Sequence, residues 1–357
     1  MTTPPISAAR RPVPAAAIRT VTLARTGPRL RTLAVAGAVV GVGVVLLCVA
    51  LSIGSYPVPL PEVLRALAGR GSAGADFIVN GVRLPRAVTA LATGAAFGLS
   101  GAIFQTLIRN PLASPDVIGI TSGASAAAVI AIVVFGLGGA AVSISAVAGA
   151  LATAVLIYLL AWRRGVHGYR LVLVGIGVSA ALSGVVSYLM TRAEVYTAEQ
   201  AMVWLTGSLA GSDWSRVRPL LGCLAVLVPA AALAARTLPA LTLGDDFAKG
   251  LGVRVERGRL ALILTGVALA AVATAAAGPV AFVAFLSGPL ARLLIHGRSP
   301  GLALSSLIGG VLMLGCDVAG QHLFGATEFP VGVITGVLGA PCLLWLLARA
   351  NRVGTGG

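Results

Sequence analysis

The chain has 357 residues, of which 57% are hydrophobic and only 10% are charged. A chain this apolar cannot expose its whole length to water, so the composition excludes an ordinary soluble domain and indicates an integral membrane protein. The formal net charge of +15 also suggests nucleic-acid binding. The basic residues are scattered over loops without interleaved aromatic residues, however, so no nucleic-acid partner is expected.

The first 31 residues are rich in Ala, Pro, Thr and Arg and show no helical period. They predict a disordered, basic tail, 1–31, on the inner side of the membrane. The apolar run that follows, 32–61, has two interpretations, a cleaved signal peptide and an uncleaved first transmembrane span. Its length far exceeds the usual signal core of about 7 to 15 residues, so an uncleaved first span is favoured.

Charge-free apolar runs mark the spans, because a spanning helix needs about 20 apolar residues. The runs are 32–61, 87–108, 117–162, 171–191, 219–235, 260–291, 299–316 and 329–348. Two are too long for one helix: 117–162 is expected to turn at Gly136-Leu137-Gly138-Gly139 and 260–291 to break at Gly278-Pro279. The sequence therefore predicts an all-α membrane domain of ten transmembrane helices over 32–351, followed by a tail at 352–357.

The distribution of basic residues predicts the orientation of these spans. With both termini inside, most of the 26 Lys and Arg residues fall on inner segments. The positive-inside rule requires this arrangement for an even number of spans. Both termini are therefore expected in the cytoplasm.

Several chemistries find little support in the sequence. The four cysteines lie singly in apolar runs and the three histidines near predicted helix ends, so no disulfide framework, metal site or cofactor is expected. No G-x-x-x-x-G-K-[ST] motif exists, and the only lysine, Lys249, stands between Ala248 and Gly250. A partner subunit must therefore hydrolyse any ATP that the protein uses.

One enzyme motif occurs in the middle of a predicted span. Gly98-Leu99-Ser100-Gly101 fits the G-x-S-G context of intramembrane serine proteases. A serine nucleophile needs a nearby base, yet no histidine lies at mid-membrane depth. Gly94 and Gly98 are four residues apart, and a close helix contact through these small residues is the favoured interpretation.

A soluble-looking loop, 236–259, contains a short helix signature. Asp245 and Asp246 suit the positive end of a helix dipole, and Gly250 and Gly252 suit its termination. Such a helix would expose Phe247 and Leu251 on one face, either as a docking site for another protein or as an amphipathic surface on lipid. The pattern alone leaves both interpretations open.

Motifs along most of the chain resemble the FecCD-type permeases of ATP-binding-cassette (ABC) importers. The region "RLPRAVTALATGAAFGLSGAIFQTLIRNPLASPDVIGITSGASAAA" carries R-L-P-R, S-G, N-P-L-A-x-P and G-A elements of that family. Further similar segments are "LGDDFAKGLGV", "GPVAFVAF" and "EFPVGVITGVLGAPCLLWLL". The resemblance covers nearly everything beyond the tail.

The resemblance implies a type II ABC importer permease fold, with ten helices in two pseudo-symmetric inverted sets, spans 2–5 and 7–10. It also implies a multi-pass protein of the bacterial cytoplasmic (inner) membrane. Its partners would be a second permease subunit, identical or paralogous, two cytoplasmic ATP-binding subunits and an extracytoplasmic siderophore-binding protein. The cargo would be an iron-siderophore, so iron would be cargo and no cofactor would be bound.

The same resemblance assigns roles to individual residues. Arg83 and Arg86 of R-L-P-R would face outside and pair with acidic residues of the binding protein, or simply anchor the helix at the membrane surface. The ATPase-coupling loop, at about 240–257, would use Gly244, Asp245, Asp246, Phe247, Ala248, Lys249, Leu251, Gly252 and Val253. Gly175, Gly177 and Ser179 of the fifth span would line the path, although helix packing explains such small residues equally well.

The stretch "RNPLASPDVIGITSGA" at 109–124 forms the predicted inner turn between spans 2 and 3. Pro111 ends one helix, and Asn110 can satisfy freed backbone groups. Gly119, Ser122 and Gly123 offer a close-packed face with little bulk. A structural role in fixing helix angles is at least as well supported here as direct contact with the substrate in a gate.

Two departures from the family pattern bear on partners and cargo. After Asp317 this chain has Gln321 and His322 where many members have an arginine, so a third docking arginine is missing. Gly288-Pro289 replaces the P-H typical of cobalamin permeases and favours a catecholate iron-siderophore. A cobalamin or haem permease is the alternative, and an ion-coupled secondary transporter is the alternative from another class, although only Asp317 comes near mid-membrane depth.

Overall fold

The computed structural model describes residues 15–162, 168–295, 301–323 and 327–354, and that part of the chain is helical and contains no strand. The first α-helices are α1 (Ala15–Ser52), α2 (Leu60–Leu67), α3 (Ala73–Asp76), α4 (Leu84–Ile108), α5 (Pro115–Ile118), α6 (Ile120–Val133), α7 (Ala140–Ala161) and α8 (Gly168–Arg192). The others are α9 (Val195–Leu205), α10 (Trp214–Ala235), α11 (Leu238–Thr242), α12 (Asp245–Gly250), α13 (Val255–Ala277), α14 (Val283–Ile295), α15 (Leu302–His322) and α16 (Val331–Gly354). A π-helix, Phe77–Arg83, joins α3 to α4.

Within the described ranges, seven helices are long and apolar enough to cross a membrane. They are Leu30–Ser52 of α1, the continuous stretch Ala73–Ile108, and α7, α8, α10, α13 and α15. Three shorter apolar helices are α6, α14 and Val331–Leu346 of α16. The prediction of an all-helical, multi-pass membrane protein is thereby confirmed.

Both long apolar runs divide where the sequence predicts. Between α6 and α7 the chain turns with positive φ at Gly136 and Gly139, a conformation that glycine adopts without penalty. The other run ends α13 at Ala277, followed by Gly278 with φ 75°, and α14 begins at Val283. Each predicted break is therefore confirmed as the boundary between two helices.

The first helix begins much earlier than the sequence indicates. Residues 1–31 are predicted to be a disordered tail, yet α1 starts at Ala15 and continues without interruption to Ser52. The prediction of disorder is therefore wrong for 15–31, and residues 1–14 lie outside the described part of the chain. The alanines and arginines of this segment favour helix, and attachment to an apolar span removes the cost of nucleating a new one.

Helix α4 is the most buried of the long helices and packs through its glycines. A Cβ atom on Gly94 would lie 2.9 Å from the Gly309 carbonyl carbon, and one on Gly98 would lie 3.2 Å from the Gly309 Cα. On Gly101 it would lie 3.0 Å from the Ala284 Cα. Small residues thus let α4 touch the backbones of α14 and α15 directly, which confirms the predicted close helix contact.

Ser100 belongs to this packing surface. Its Oγ donates a 2.6 Å hydrogen bond to the Gly266 carbonyl oxygen of α13, and the side chain is fully buried. An interhelical hydrogen bond of this kind contributes about 0.6 kcal/mol in a membrane. The hydroxyl proton is therefore used in holding α4 to α13.

The π-helix ahead of α4 results from Pro85. Proline has no N–H to donate to the carbonyl oxygen four residues earlier, so the regular α-helical bonding cannot pass through it. Instead, Leu84 N–H bonds to the Val79 carbonyl oxygen, which makes a wide i→i+5 turn. The wide turn leads directly into the R-L-P-R motif and sets the positions of Arg83 and Arg86 at the start of α4.

Candidate functional site

The short helix predicted in the loop 236–259 is present as α12. Gly244, with φ 116°, precedes it, and Asp245 and Asp246 occupy its first turn, where carboxylates complement the helix dipole. Phe247 and Leu251 are 72% and 66% exposed. The predicted apolar pair is thus at the surface, at the predicted inner face of the bundle.

The remaining residues of the α12 loop hold it in shape. Ala248 is fully buried against the main core cluster, and Val253 N–H donates to the Ala248 carbonyl oxygen at 3.0 Å. Gly252, with φ 79°, turns the chain between them. Lys249 Nζ lies 3.8 Å from Asp246 Oδ1 in an exposed pair within the helix.

Two arginines connect this loop to the membrane helices: Arg109, which the sequence predicts only as an anchor at the membrane interface, and Arg259, for which the sequence predicts no role. Arg259 Nη2 lies 2.9 Å from Asp245 Oδ1 and 3.0 Å from Oδ2. Arg109, which follows α4 in a left-handed conformation with φ 56°, donates to the Leu241 carbonyl oxygen. A cavity of about 390 Å³ lies between these two contacts. Asp245 and Arg259 are fourteen residues apart, far beyond the three- or four-residue spacing at which side chains meet on one helix.

At the predicted outer face, the two arginines of R-L-P-R bind groups of their own chain. Arg83 donates to the Leu51 carbonyl oxygen at 2.7 Å and to the Tyr56 carbonyl oxygen. Arg86 donates to both carboxylate oxygens of Asp317 at 3.0–3.2 Å and contacts Glu328 Oε2 at 3.3 Å. Their role in docking a binding protein stays a prediction. Any partner carboxylate would have to share or replace these contacts.

Gln321 has a defined part in this outer network. Its Nε2 donates to Asp317 Oδ2 at 2.7 Å, and the Asp317 side chain is only 2% exposed. Gln321 stands where many family members have an arginine. Its amide group cannot neutralise the charge of Asp317, but it satisfies the buried carboxylate by hydrogen bonding. The network lines a cleft of about 540 Å³, together with His322, whose buried Nε2 has no hydrogen-bond partner among the described residues.

The inner turn between α4 and α6 is built as the sequence predicts. Asn110 Oδ1 accepts the Leu112 N–H at 2.9 Å, so the side chain satisfies a backbone group freed at Pro111. Ser114 Oγ caps α5 by accepting the Val117 N–H at 3.3 Å. Asn110 and Pro111 are both exposed at this end of the bundle. Substrate contact by either residue stays a prediction.

Three of the predicted path residues meet at one helix contact. Gly119, with φ 97°, faces α8 so closely that an added Cβ would lie 3.0 Å from the Gly175 carbonyl oxygen and against Ser179 Oγ. A Cβ on Gly175 would lie 2.9 Å from the Ile118 carbonyl carbon. Ser179 Oγ is buried and without a hydrogen-bond partner in the described part of the chain. In this structure Gly119, Gly175 and Ser179 therefore lie where α5 packs against α8.

The other path candidates lie elsewhere. An added Cβ on Gly123 would lie 2.8 Å from the Gly149 carbonyl oxygen of α7, so this glycine permits a helix contact. Ser122 is half-buried beside it. Gly177 is exposed on α8 and would have nothing within 4 Å of a Cβ. Of the three α8 positions, only Gly177 lies on an exposed face of the helix, and a role in the path stays a prediction.

The fold defines a class: a multi-pass helical membrane protein with a short helix, α12, that exposes apolar side chains. The model of the FecCD transport family matches residues 32–349, and the chain belongs to that family. It is 41% identical over 299 residues to the ferric enterobactin transport system permease protein FepG of Escherichia coli K12, covering 84% of this chain and 91% of that protein. It is 42% identical over 305 residues to the achromobactin transport system permease protein CbrC of Dickeya dadantii 3937, covering 85% and 87%.

A solved structure has the same fold. It is described as an inward-facing conformation of a metal-chelate type ABC transporter, and it superposes with a TM-score of 0.76. The sequences are 29% identical, and the match covers 88% of this chain and 98% of that one.

Proposed function

We propose that this chain is the membrane-spanning permease subunit of an ABC importer that takes up an iron(III)-siderophore complex. The observation that carries the proposal is the match to the FecCD family over 32–349, with relatives named for ferric enterobactin and achromobactin transport. The chain covers 91% and 87% of those two permeases, so the similarity concerns nearly the whole of each protein. A catecholate chelate of the enterobactin kind is the cargo that the first of these relatives favours. A cobalamin or haem permease of the same family is the alternative.

The proposal includes ten spans in two inverted sets. Seven long helices and three shorter apolar ones among the described residues supply ten candidates. In chain order they are α1, α4, α6, α7, α8, α10, α13, α14, α15 and α16, so spans 2–5 begin at α4 and spans 7–10 at α13. An even number of spans keeps both termini in the cytoplasm, in agreement with the basic inner loops.

The partners follow from the two ends of the bundle. Phe247 and Leu251 on α12 supply an apolar contact for a cytoplasmic ATP-binding subunit, and the full importer has two of these. A second permease subunit packs on the open side of α8, where Gly177 leaves space for the path. An extracytoplasmic siderophore-binding protein docks at Arg83 and Arg86. Energy comes from the partner ATPases, and the permease itself contributes the path.

The contacts of Asp317 favour this function over ion-coupled transport. A secondary transporter needs an intramembrane ionisable group that can load and release its ion. Asp317 is held by Arg86 and Gln321 at hydrogen-bond distance, so it serves as a structural anchor. The chelate supplies the ligands of the iron, so the path itself needs none.

Uptake of radiolabelled iron tests the proposal. Cells lacking the gene, and cells complemented with the intact chain, receive ⁵⁵Fe on enterobactin, on a hydroxamate siderophore or on citrate, and labelled cobalamin in parallel. Loss of catecholate uptake, restored by the intact chain but not by the Phe247→Asp/Leu251→Asp variant, is the expected result. Normal uptake of every iron chelate with loss of cobalamin uptake would refute the iron-siderophore assignment.

A further inference from the structure

Helix α12 has one edge facing the membrane helices and another facing away from them. Ala248 is fully buried and belongs to the core cluster that includes Leu238 and Leu241. On the other side, the Asp246 side chain is 100% exposed and Phe247 is 72% exposed. The two neighbouring aspartates of the loop are therefore not equivalent, because Asp246 faces away from the bundle while Asp245 faces into it.

Asp245 connects α12 to the start of α13. Both of its carboxylate oxygens lie within 3.0 Å of Arg259 Nη2, and the Arg259 side chain is 17% exposed. A charge-assisted hydrogen bond at this distance is among the stronger polar contacts available to a surface helix. Glu256 also contacts Arg259, at 3.5 Å, but it lies three residues earlier in the same helix. The Asp245 contact, unlike that of Glu256, joins two separate elements, α12 and α13.

Arg109 makes a second connection, from α4. It follows the last turn of that helix and donates to the Leu241 carbonyl oxygen in α11, the short helix before α12. Because Leu241 is followed by only a few residues before α12 begins, this bond holds the start of the same loop. The two arginines therefore connect one loop to the two helices, α4 and α13, that pack against each other through Ser100 and Gly266.

Between the two connections one part of the α11–α12 loop borders a cavity, although Leu241 and Ala248 are buried in the core. The cavity of about 390 Å³ there is lined by the ends of α4, α8 and α13 and by Leu241 and Asp245. No atoms are in van der Waals contact across this cavity, so a displacement cannot pass across it through close packing. Displacement of α12 along this edge is carried by the hydrogen bonds of Arg259 and Arg109, in addition to the packing of Ala248 on the other edge.

We propose that Arg259 and Arg109 are positioning residues that transmit the movement of α12 to α13 and α4, with the Asp245–Arg259 ion pair as the principal connection. The inference rests on the proposed function, since it requires that an ATPase moves α12. It assigns Asp245 to the permease side of the loop and leaves Phe247, Leu251 and Asp246 to face the ATPase. Breaking the ion pair should leave the ATPase bound and active while reducing the transport obtained from each ATP.

The test uses the whole importer, with its ATPase subunits and binding protein, in proteoliposomes supplied with ⁵⁵Fe-enterobactin. The measured quantity is the iron moved per ATP hydrolysed, together with co-purification of the ATPase. Asp245→Asn and Arg259→Gln should each lower this ratio about fivefold or more, the size of an ordinary coupling free energy. Glu256→Gln is the matched control, because it removes the other carboxylate on Arg259 without detaching α12, and it should keep the wild-type ratio.

Two further variants separate transmission from general damage. The double variant Asp245→Asn/Arg259→Gln should be no worse than either single variant, since both remove one shared contact. Arg259→Lys keeps a cation within reach of Asp245 and should recover part of the ratio. If Arg259→Gln does not assemble, Asp245→Asn, at a 43% exposed side chain, provides the test by itself.

The outcomes are distinct. If Asp245→Asn behaves like Glu256→Gln, or if it releases the ATPase, the inference is overturned, because Asp245 is then either idle or a docking contact. The inference would also be overturned if the double variant lowered the iron moved per ATP by the product of the two single-variant factors. If the wild-type importer moves iron on none of the chelates, the proposed function itself fails, which is a separate result.

Discussion

Replacing Arg86 with Met is expected to destabilise the protein by about 3 kcal/mol. The Asp317 side chain is 2% exposed and accepts hydrogen bonds from Arg86 at 3.0–3.2 Å and from Gln321 at 2.7 Å. Removing one partner of a buried ion pair costs about 3–5 kcal/mol, because the other charge stays buried without compensation. We expect the lower end of that range, since Arg86 is 18% exposed and water can take part of its place.

The double variant Arg86→Met/Asp317→Asn gives the decisive comparison. It removes the buried charge along with its partner, so most of the lost stability should return. Glu328→Gln is the matched control, because this 61% exposed carboxylate contacts the same arginine and should contribute less than about 1 kcal/mol. Thermal unfolding of purified protein in detergent, followed by size-exclusion chromatography, measures the midpoint.

A single variant that loses about 3 kcal/mol should unfold roughly 4 °C below the wild type, given an unfolding entropy of about 0.75 kcal/mol/K for a chain of 357 residues. Two results would refute the reasoning. One is an Arg86→Met midpoint indistinguishable from that of Glu328→Gln. The other is a double variant as unstable as the single, which would mean that arginine packing, rather than the buried charge, decides the stability.

Three other substitutions test separate parts of the structure. Gly101→Ala should lower the free energy of unfolding by about 1–3 kcal/mol and reduce the yield of folded protein, because the added Cβ would lie 3.0 Å from the α14 backbone. Gly222→Ala is the control, because its Cβ would have nothing within 4 Å, and it should be expressed normally. Phe247→Asp should abolish co-purification of the ATPase while leaving the melting midpoint unchanged, since the residue is 72% exposed; retained co-purification would count against α12 as the docking element. The pKa of Glu62 is lowered chiefly by the hydrogen bond from the Ser72 backbone N–H. The stability from this contact is therefore fully present above the ordinary carboxyl pKa, and it is lost as the pH falls through the lowered pKa of Glu62. Amide protection across 60–76, corrected for the intrinsic pH dependence of exchange, should therefore fall on acidification in the wild type, and an identical fall in Glu62→Gln would refute the assignment.

The helical architecture could be predicted from the sequence because its signals are local. The apolar runs 117–162 and 260–291 are each too long for one helix, and the glycines at 136–139 and at 278 mark where each run breaks. Both predicted breaks are confirmed. The start of α1 at Ala15 was missed because composition, with its prolines and arginines, dominated the interpretation of 1–31. Helix propensity and continuation from an existing span outweighed that composition.

The candidate site was predictable only where neighbours in sequence are neighbours in space. Phe247 and Leu251 are four residues apart on one helix, so their shared face follows from the helical period. The Arg86–Asp317 pair joins residues 231 positions apart, and no spacing rule links them. Gly175 and Gly177 look alike in the sequence, yet one is packed against Ile118 and the other is open, because two residues turn a helix by about 200°.

The glycine face of α4 has a consequence for which helices can move. Where Gly94, Gly98 and Gly101 meet neighbouring backbones, no flexible side chains lie between the helices to rearrange, so α4, α14 and α15 should shift only as one solid block. Helices α1 and α10 are much less buried, and none of their described glycines would place a Cβ within 4 Å of a neighbouring backbone. We therefore expect α4, α14 and α15 to move together as one block when the α12 loop moves, while α1 and α10 shift relative to that block.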